Sequence, residues 1–413
     1  MPIAGYPLLV VEEITISRLD VLIKMISRLE DRGIAVQARR CTRLRHRIAT
    51  CTRCSDVCPT AAIQWGESTL EVNPAKCTGC GACATVCPTS ALSAVSPNDT
   101  QLSAAVEAVG TQGRSAIFIC GRYLKLNKRA GAGAILVPCI ARVDESIMIG
   151  AVAAGSPGVQ LVEGACGGCP QGAAHKLAET TVTAANALLE GWGKPDLVQL
   201  MADAALEKEN NPPKIAQAGE VSRRGLFMLL RGKTAEVASG AIANVAGTAI
   251  LSSDEIAKES RNQVLSLADY PRLVPGKRRY LLASLARLGK PVGPEAETAF
   301  WANVRIGETC VGCHGCVDFC PSGALAKFEN GDKSGIAFRS ARCTGCHLCE
   351  EICHKAMRNE CLQISQTVRW EALLQEETTI VMLDDKRDLI DPAETMQDKL
   401  SKLLGAPVTT YSA

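Results

Sequence analysis

Apolar residues in this chain fall mostly in short runs, and their placement predicts the elements. Runs at 116–119, 134–137 and 159–162 read as buried strands, with helical periodicity at 145–154 and 172–190 between or after them. Strands alternating with helices predict a small parallel α/β sheet. Three further runs, 61–65, 91–95 and 324–328, each follow a Cys-Pro pair and read as small closing strands. Helical spacing also marks 14–29 and two basic segments, 222–233 and 277–288, while the tail has strand-like 379–383 and helix-like 394–404. A polar, proline-bearing stretch at 207–214 marks a boundary, and the Ala/Gly-rich 234–251 reads as a packed helix or linker.

Cysteine changes the picture, with 21 in 413 residues. Cys310, Cys313, Cys316 and Cys320, then Cys343, Cys346, Cys349 and Cys353, repeat the spacing C-x2-C-x2-C-x3-C. This is the spacing of two-cluster bacterial ferredoxins, in which three thiolates of a run grip one [4Fe–4S] cube and the fourth ligates the other. Crossing the fourth cysteines gives one cube Cys310, Cys313, Cys316 and Cys353, and the other Cys320, Cys343, Cys346 and Cys349. An altered copy lies at 51–87. There Cys58 joins Cys77, Cys80 and Cys83 on one cube. Cys51, Cys54 and Cys87 serve the other, whose remaining ligand is missing because Ile48 stands at its position. Cys41 is the nearby candidate: with it the site is a [4Fe–4S] cube, and without it a [3Fe–4S] cluster beside a buried thiol. Arg39, Arg40, Arg43, Arg45, Arg47 and Arg53 surround this set, as an electropositive docking face or as a solvated, charge-neutralising one.

Each predicted strand of the middle region runs into cysteine: Cys120 after the first, Cys139 after the second, Cys166 and Cys169 after the third. In an open parallel sheet the carboxyl ends share one edge, where ligands bind, so these four thiols should converge. Such a set suits [2Fe–2S] iron or tetrahedral zinc, and Cys166 with Cys169 also suit a redox-active dithiol. The words Pro138-Cys139-Ile140-Ala141-Arg142-Val143-Asp144-Glu145 and Gly164-Ala165-Cys166-Gly167-Gly168-Cys169-Pro170 resemble the delta subunit of methyl-viologen-reducing hydrogenase, over about 90 residues. The resemblance implies one [2Fe–2S] cluster and electron exchange with heterodisulfide reductase-type partners. The close spacing of the last cysteine pair and the single cysteine near the first strand depart from that family. Four cubes and the middle set use every cysteine except Cys361.

A formal net charge of +2 gives no global field for nucleic acid. No run approaches the roughly 18 uncharged apolar residues of a membrane span. The first residues lack a basic n-region, so the expected compartment is the cytoplasm, with peripheral membrane contact left open through the basic segment 222–233. His314 and His347 occupy cluster-binding loops, and His354 stands where proline usually follows the fourth cysteine. They would tune potential or couple protons, or the positions simply tolerate any residue, the plainer reading. His46 and His175 read as ordinary surface or helix residues.

The fold expected is α+β and multidomain, with two ferredoxin-like modules flanking a small parallel-sheet domain and helical linkers. Its divisions are a helical segment 1–40, a module at 41–100, the hydrogenase-delta-like domain 110–202, a linker and helical region 203–300, a module at 301–362 and a tail 363–413. The function expected is a non-catalytic electron-transfer subunit of anaerobic metabolism, holding four [4Fe–4S] clusters and one [2Fe–2S] cluster. Family resemblance alone suggests the partner: a hydrogenase, a formate dehydrogenase or other molybdenum or tungsten enzyme, or a flavoprotein of the heterodisulfide reductase type. Two rivals remain: an oxidoreductase with its own flavin or reactive cluster, and a cluster-assembly scaffold. For the flavin, Gly131-Ala-Gly133-Ala is only a fragment of a dinucleotide fingerprint.

Overall fold

The computed structural model describes residues 33–66, 69–126, 133–164, 166–201, 272–330 and 333–383. The elements expected at 14–29, 207–214, 222–233, 234–251 and 394–404 lie outside the described residues.

In the first module β1 (Ile34–Val36), β2 (Ile63–Trp65), β3 (Leu70–Val72) and β4 (Leu92–Ala94) form two antiparallel pairs, β1 with β4 and β2 with β3. Ile34, Ile63, Leu70 and Leu92 face a small core that they share with Cys41, Cys54, Cys83 and Cys87. Thiols therefore make up much of what this module buries. β1 falls within residues expected to be helical, and its pairing with β4 closes the module.

The middle domain begins with α1 (Asp99–Gly110), whose start is fixed by a reciprocal capping box between Asn98 and Gln101. There follow β5 (Ala116–Cys120), α2 (Gly121–Leu126), β6 (Ile135–Val137), α3 (Glu145–Ala153), β7 (Val159–Val162), α4 (His175–Glu190) and β8 (Val198–Met201). The strands are all parallel, in the order β6-β5-β7-β8. The chain runs outward from β5 to β6, then returns past β5 to β7. Direction thus reverses beside β5, the place in such sheets where the carboxyl ends leave a crevice for ligands.

The apolar helix α3 buries Ile147, Met148, Ile149, Ala151 and Val152. A helix apolar on nearly every face must be covered on nearly every face. Its outer cover is α5 (Gly276–Arg287), which sends Leu281 and Leu285 into the same core as Phe300, Trp301, Trp370 and Leu373. The two helices meet at Gly150, where an added Cβ would come within 2.3 Å of the Tyr280 hydroxyl. Middle domain and second module therefore share one hydrophobic core.

The second module contains β9 (Glu295–Glu297), β10 (Asn303–Ile306), β11 (Leu325–Asn330), β12 (Lys333–Arg339), β13 (Leu362–Ser365), β14 (Thr367–Arg369) and β15 (Thr378–Leu383). β9 pairs with β14, β10 with β13, and β12 with both β11 and β15, all antiparallel. β15 belongs to the tail of the sequence, yet it extends the module's own hairpin.

Candidate metal centres

Each complete cysteine run curls in the same way. Gly79 and Gly81, Gly312 and His314, and Gly345 and His347 flank the second cysteine of their runs with left-handed backbone, φ from 57° to 83°. This turns three thiols inward on a short loop. Left-handed backbone favours glycine and is more open to histidine than to most side chains. His314 and His347 thus occupy restricted positions, unlike the tolerance expected of them. Residues 48–54 contain no left-handed residue. Ile48 and Ala49 instead pack against Leu348 and Ile352, and His46 meets the ring of Phe319 edge-on at 4.6 Å. The side chain at the missing ligand position is spent on a contact between modules.

None of the 21 cysteines is in a disulfide, and thiols expected to share a centre lie within electrostatic reach of one another. In the first set, burial lifts the Cys54 thiol to about 12, with Cys87, Cys41 and Cys51 adding repulsion. Burial also raises Cys41; N–H bonds from Leu44 and Arg43 offset part of this, and Cys87 and Cys51 push it further. The helical turn Thr42–Arg45 begins directly after Cys41, whose carbonyl accepts from the N–H groups of Leu44 and Arg45. In the second set, burial raises Cys83, reinforced by Cys80, Cys54, Cys77 and Cys58. Burial would raise Cys58 too, but hydrogen bonds from Thr60, Ala62 and Ile63 outweigh it and hold that thiol below its ordinary value.

Cys120, Cys139, Cys166 and Cys169 line an open cavity of about 420 Å³ at the carboxyl edge of the parallel sheet. Burial raises Cys139 to about 12, and Cys80, Cys120 and Cys166 contribute. His175 lines the same cavity with its Nε2 on the Glu163 carboxylate, so it is part of the site wall. In the second module, burial lifts Cys346 to about 12, with Cys320 and Cys343 adding to it. Cys310, Cys313, Cys316 and Cys353 line a further cavity of about 370 Å³, together with Cys361, the thiol left over in the sequence.

Neighbouring sets lie within electrostatic reach of one another. Cys139 of the middle domain feels Cys80, and Cys83 feels Cys54. Lys277 feels Cys87, while the adjacent Arg278 feels Cys343. Cys349 feels Cys316 in turn. Hydrogen bonds also join the domains that carry these sets. The Thr85 hydroxyl donates to the carbonyl of Ala141 at 2.8 Å, and Lys277 Nζ donates to the carbonyls of Ala84 and Thr85, both at 2.8 Å. Arg53 Nη2 donates to the carbonyl of Gly345 at 3.0 Å.

Thiols raised this far would stay protonated at neutral pH by themselves. Bringing four together as thiolates requires compensating positive charge, which bound metal supplies. Soft thiolate donors in these sets fit iron–sulfur clusters. Among the described residues no three His, Cys, Asp or Glu side chains close on a single point as the ligands of one ion do.

Residues 47–91 and residues 309–357 each match the 4Fe-4S dicluster domain. No curated protein and no solved structure matches the chain. This is an iron–sulfur protein with two ferredoxin-like segments and a role in electron transfer. Among the described residues no helix is long and apolar enough to cross a membrane.

Proposed function

We propose that the chain is a linear electron relay of five iron–sulfur centres, four [4Fe–4S] and one [2Fe–2S], with an accessible centre at each end. The observation that carries this reading is the adjacency of successive sets: Cys139 lies near Cys80, Cys83 near Cys54 and Cys349 near Cys316, while the Arg53 guanidinium crosses between modules to the Gly345 carbonyl. When bound, the clusters accept and release single electrons. The chain supplies ligands, spacing and shielding. Cys41 completes the set that Ile48 leaves short. The Lys277 and Arg278 side chains put positive charge at the junction between modules, where it favours the reduced state of the centres on either side.

The two ends suit exchange with other proteins. Cys120, Cys166 and Cys169 are half-buried around an open cavity, and Cys313 at the opposite end is exposed. The parallel sheet, the cysteines at its carboxyl edge and the resemblance to the hydrogenase delta subunit support a [2Fe–2S] centre there. They also support a partner among hydrogenases, formate dehydrogenases or other molybdenum or tungsten enzymes, or flavoproteins of the heterodisulfide reductase type. Anaerobically purified protein titrated with a chemical reductant should take up and return about five electrons per chain. Iron lost on desalting would indicate a transient scaffold instead, and a bound-flavin spectrum would indicate a redox site of another kind.

A further inference from the structure

Four cysteines in this chain occupy the last position of a cluster-binding run, and three of them are built alike. Cys58, Cys87 and Cys320 are each followed by proline and then by a hydroxyl residue, Thr60, Thr89 or Ser322. In each case that hydroxyl lies against the sulfur, at 3.8, 3.7 and 3.7 Å. Cys58 and Cys87 also accept backbone N–H bonds, from Ala62 at 3.3 Å and Ala91 at 3.2 Å. Such donors favour the thiolate and hold it in one place.

Cys353 is different in every respect. His354 and Lys355 replace the proline and the hydroxyl residue, and the chain from Ile352 to Ala356 winds as a π-helical turn, a feature that concentrates at functional sites. The Cys353 sulfur faces the carbonyl oxygen of Asn359 at 2.8 Å, where the other three sulfurs face a hydroxyl. It lies 3.6 Å from that of Cys361, which also hydrogen-bonds Cys310. The loop carrying Cys361 is held firmly. Asn359 Oδ1 accepts from the Cys361 N–H at 3.0 Å, Asn359 Nδ2 donates to the Thr309 carbonyl at 3.0 Å, and His354 Nε2 donates to the Leu362 carbonyl at 2.7 Å.

We propose that Cys353 and Cys361 are alternative thiolates for the same corner of the terminal centre, and that this corner exchanges its ligand. Two sulfurs in contact are too close to serve separate irons of one cube, so they compete for one. Exchange breaks the iron bond to Cys353 and forms one to Cys361. The Cys361 proton passes to the released Cys353 sulfur, which becomes a neutral thiol, and no electron moves. This rests on the reading of Cys310, Cys313 and Cys316 as cluster ligands.

The test uses full-length protein purified anaerobically in four versions beside the unaltered chain: Cys353→Ala, Cys361→Ala, both together, and Cys320→Ala as the corner without a spare thiol. Iron is counted per chain, and the oxidised protein is examined by EPR for a [3Fe–4S] signal. Each single change at 353 or 361 should keep the full iron content. The double change and Cys320→Ala should each lose about one iron and show the three-iron signal. Loss in Cys353→Ala equal to that in Cys320→Ala, or loss in Cys361→Ala alone, would overturn the exchange. Signals from the first module report whether each variant has folded. If the unaltered chain itself holds no iron, the relay reading fails instead.

Discussion

The Arg53 guanidinium donates to the carbonyl of Gly345 at 3.0 Å, so a side chain between Cys51 and Cys54 grips the loop between Cys343 and Cys346. Beside it, the backbone N–H of Thr50 donates to the Glu351 carboxylate at 3.3 Å, and the Thr50 hydroxyl donates to one oxygen of the same carboxylate. The two modules are thereby held loop to loop. Arg53→Ala should weaken this junction by about 1 kcal/mol, the discount reflecting its exposure to water. Hydrogen exchange should quicken at Ile48, Ala49 and Leu348 and remain unchanged in the parallel sheet. Unchanged exchange at all three would show that the contact does not hold the modules together.

Lys277 acts on the same junction through its charge. Burial lowers its affinity for the proton, while Asp144 and then Cys87 favour the charged form. Lys277→Met should shift the midpoint potential of the centre at Cys87 downward, on the order of tens of millivolts. A potentiometric EPR titration would read this. An unmoved or raised potential would remove Lys277 from the tuning of that centre.

Cys41→Ala isolates the irregular ligand. If Cys41 completes the set with Cys51, Cys54 and Cys87, the variant should lose about one iron and gain a three-iron EPR signal. An unaltered spectrum would make Cys41 a buried bystander.

The close meeting of Gly150 and Tyr280 fixes how α5 rests on α3. Gly150→Val should force the helices apart and destabilise the shared core by about 1–3 kcal/mol, seen as faster limited proteolysis near residue 276. Resistance equal to the unaltered chain would show that α5 is not seated there.

Glu145 gives the fold a pH dependence. Burial, with Asp144 close by, raises its carboxyl from 4.5 to about 7, against the pull of Arg278 and Lys277. The folded chain therefore holds this proton more tightly than the unfolded chain does. The resulting stability is present below the ordinary 4.5 and is lost as pH rises through about 7. Thermal unfolding midpoints of the unaltered protein should fall across that upper range, and Glu145→Gln should flatten the decline. A parallel decline in both would contradict the assignment.

Local features of this molecule were legible in the sequence. The spacing of Cys310 to Cys320 and of Cys343 to Cys353 dictates a tight loop by itself, because its glycines and histidines permit left-handed backbone within each run. The runs at 116–119, 134–137 and 159–162 became parallel strands because they are too short and too apolar for anything but a buried sheet. What escaped was non-local. Thr50 and Glu351 stand 301 residues apart in sequence, and no periodicity links them. Ile48 looked like a defect in a ligand run until its packing against Leu348 and Ile352 supplied its purpose. β8 went unnoticed because its residues, Val-Gln-Leu-Met, are short and bracketed by polar chain. Cys361 remained unplaced because the turn that brings it to Cys353 departs from the pattern of the other three runs.

The most direct test is the iron and acid-labile sulfide content of anaerobically isolated full-length protein, with EPR-monitored reduction of the same sample. A relay of this composition should contain about 18 irons and a matching quantity of sulfide per chain, all in centres that reduce and reoxidise without loss. Colourless protein whose thiols hold zinc or are joined as disulfides would contradict it.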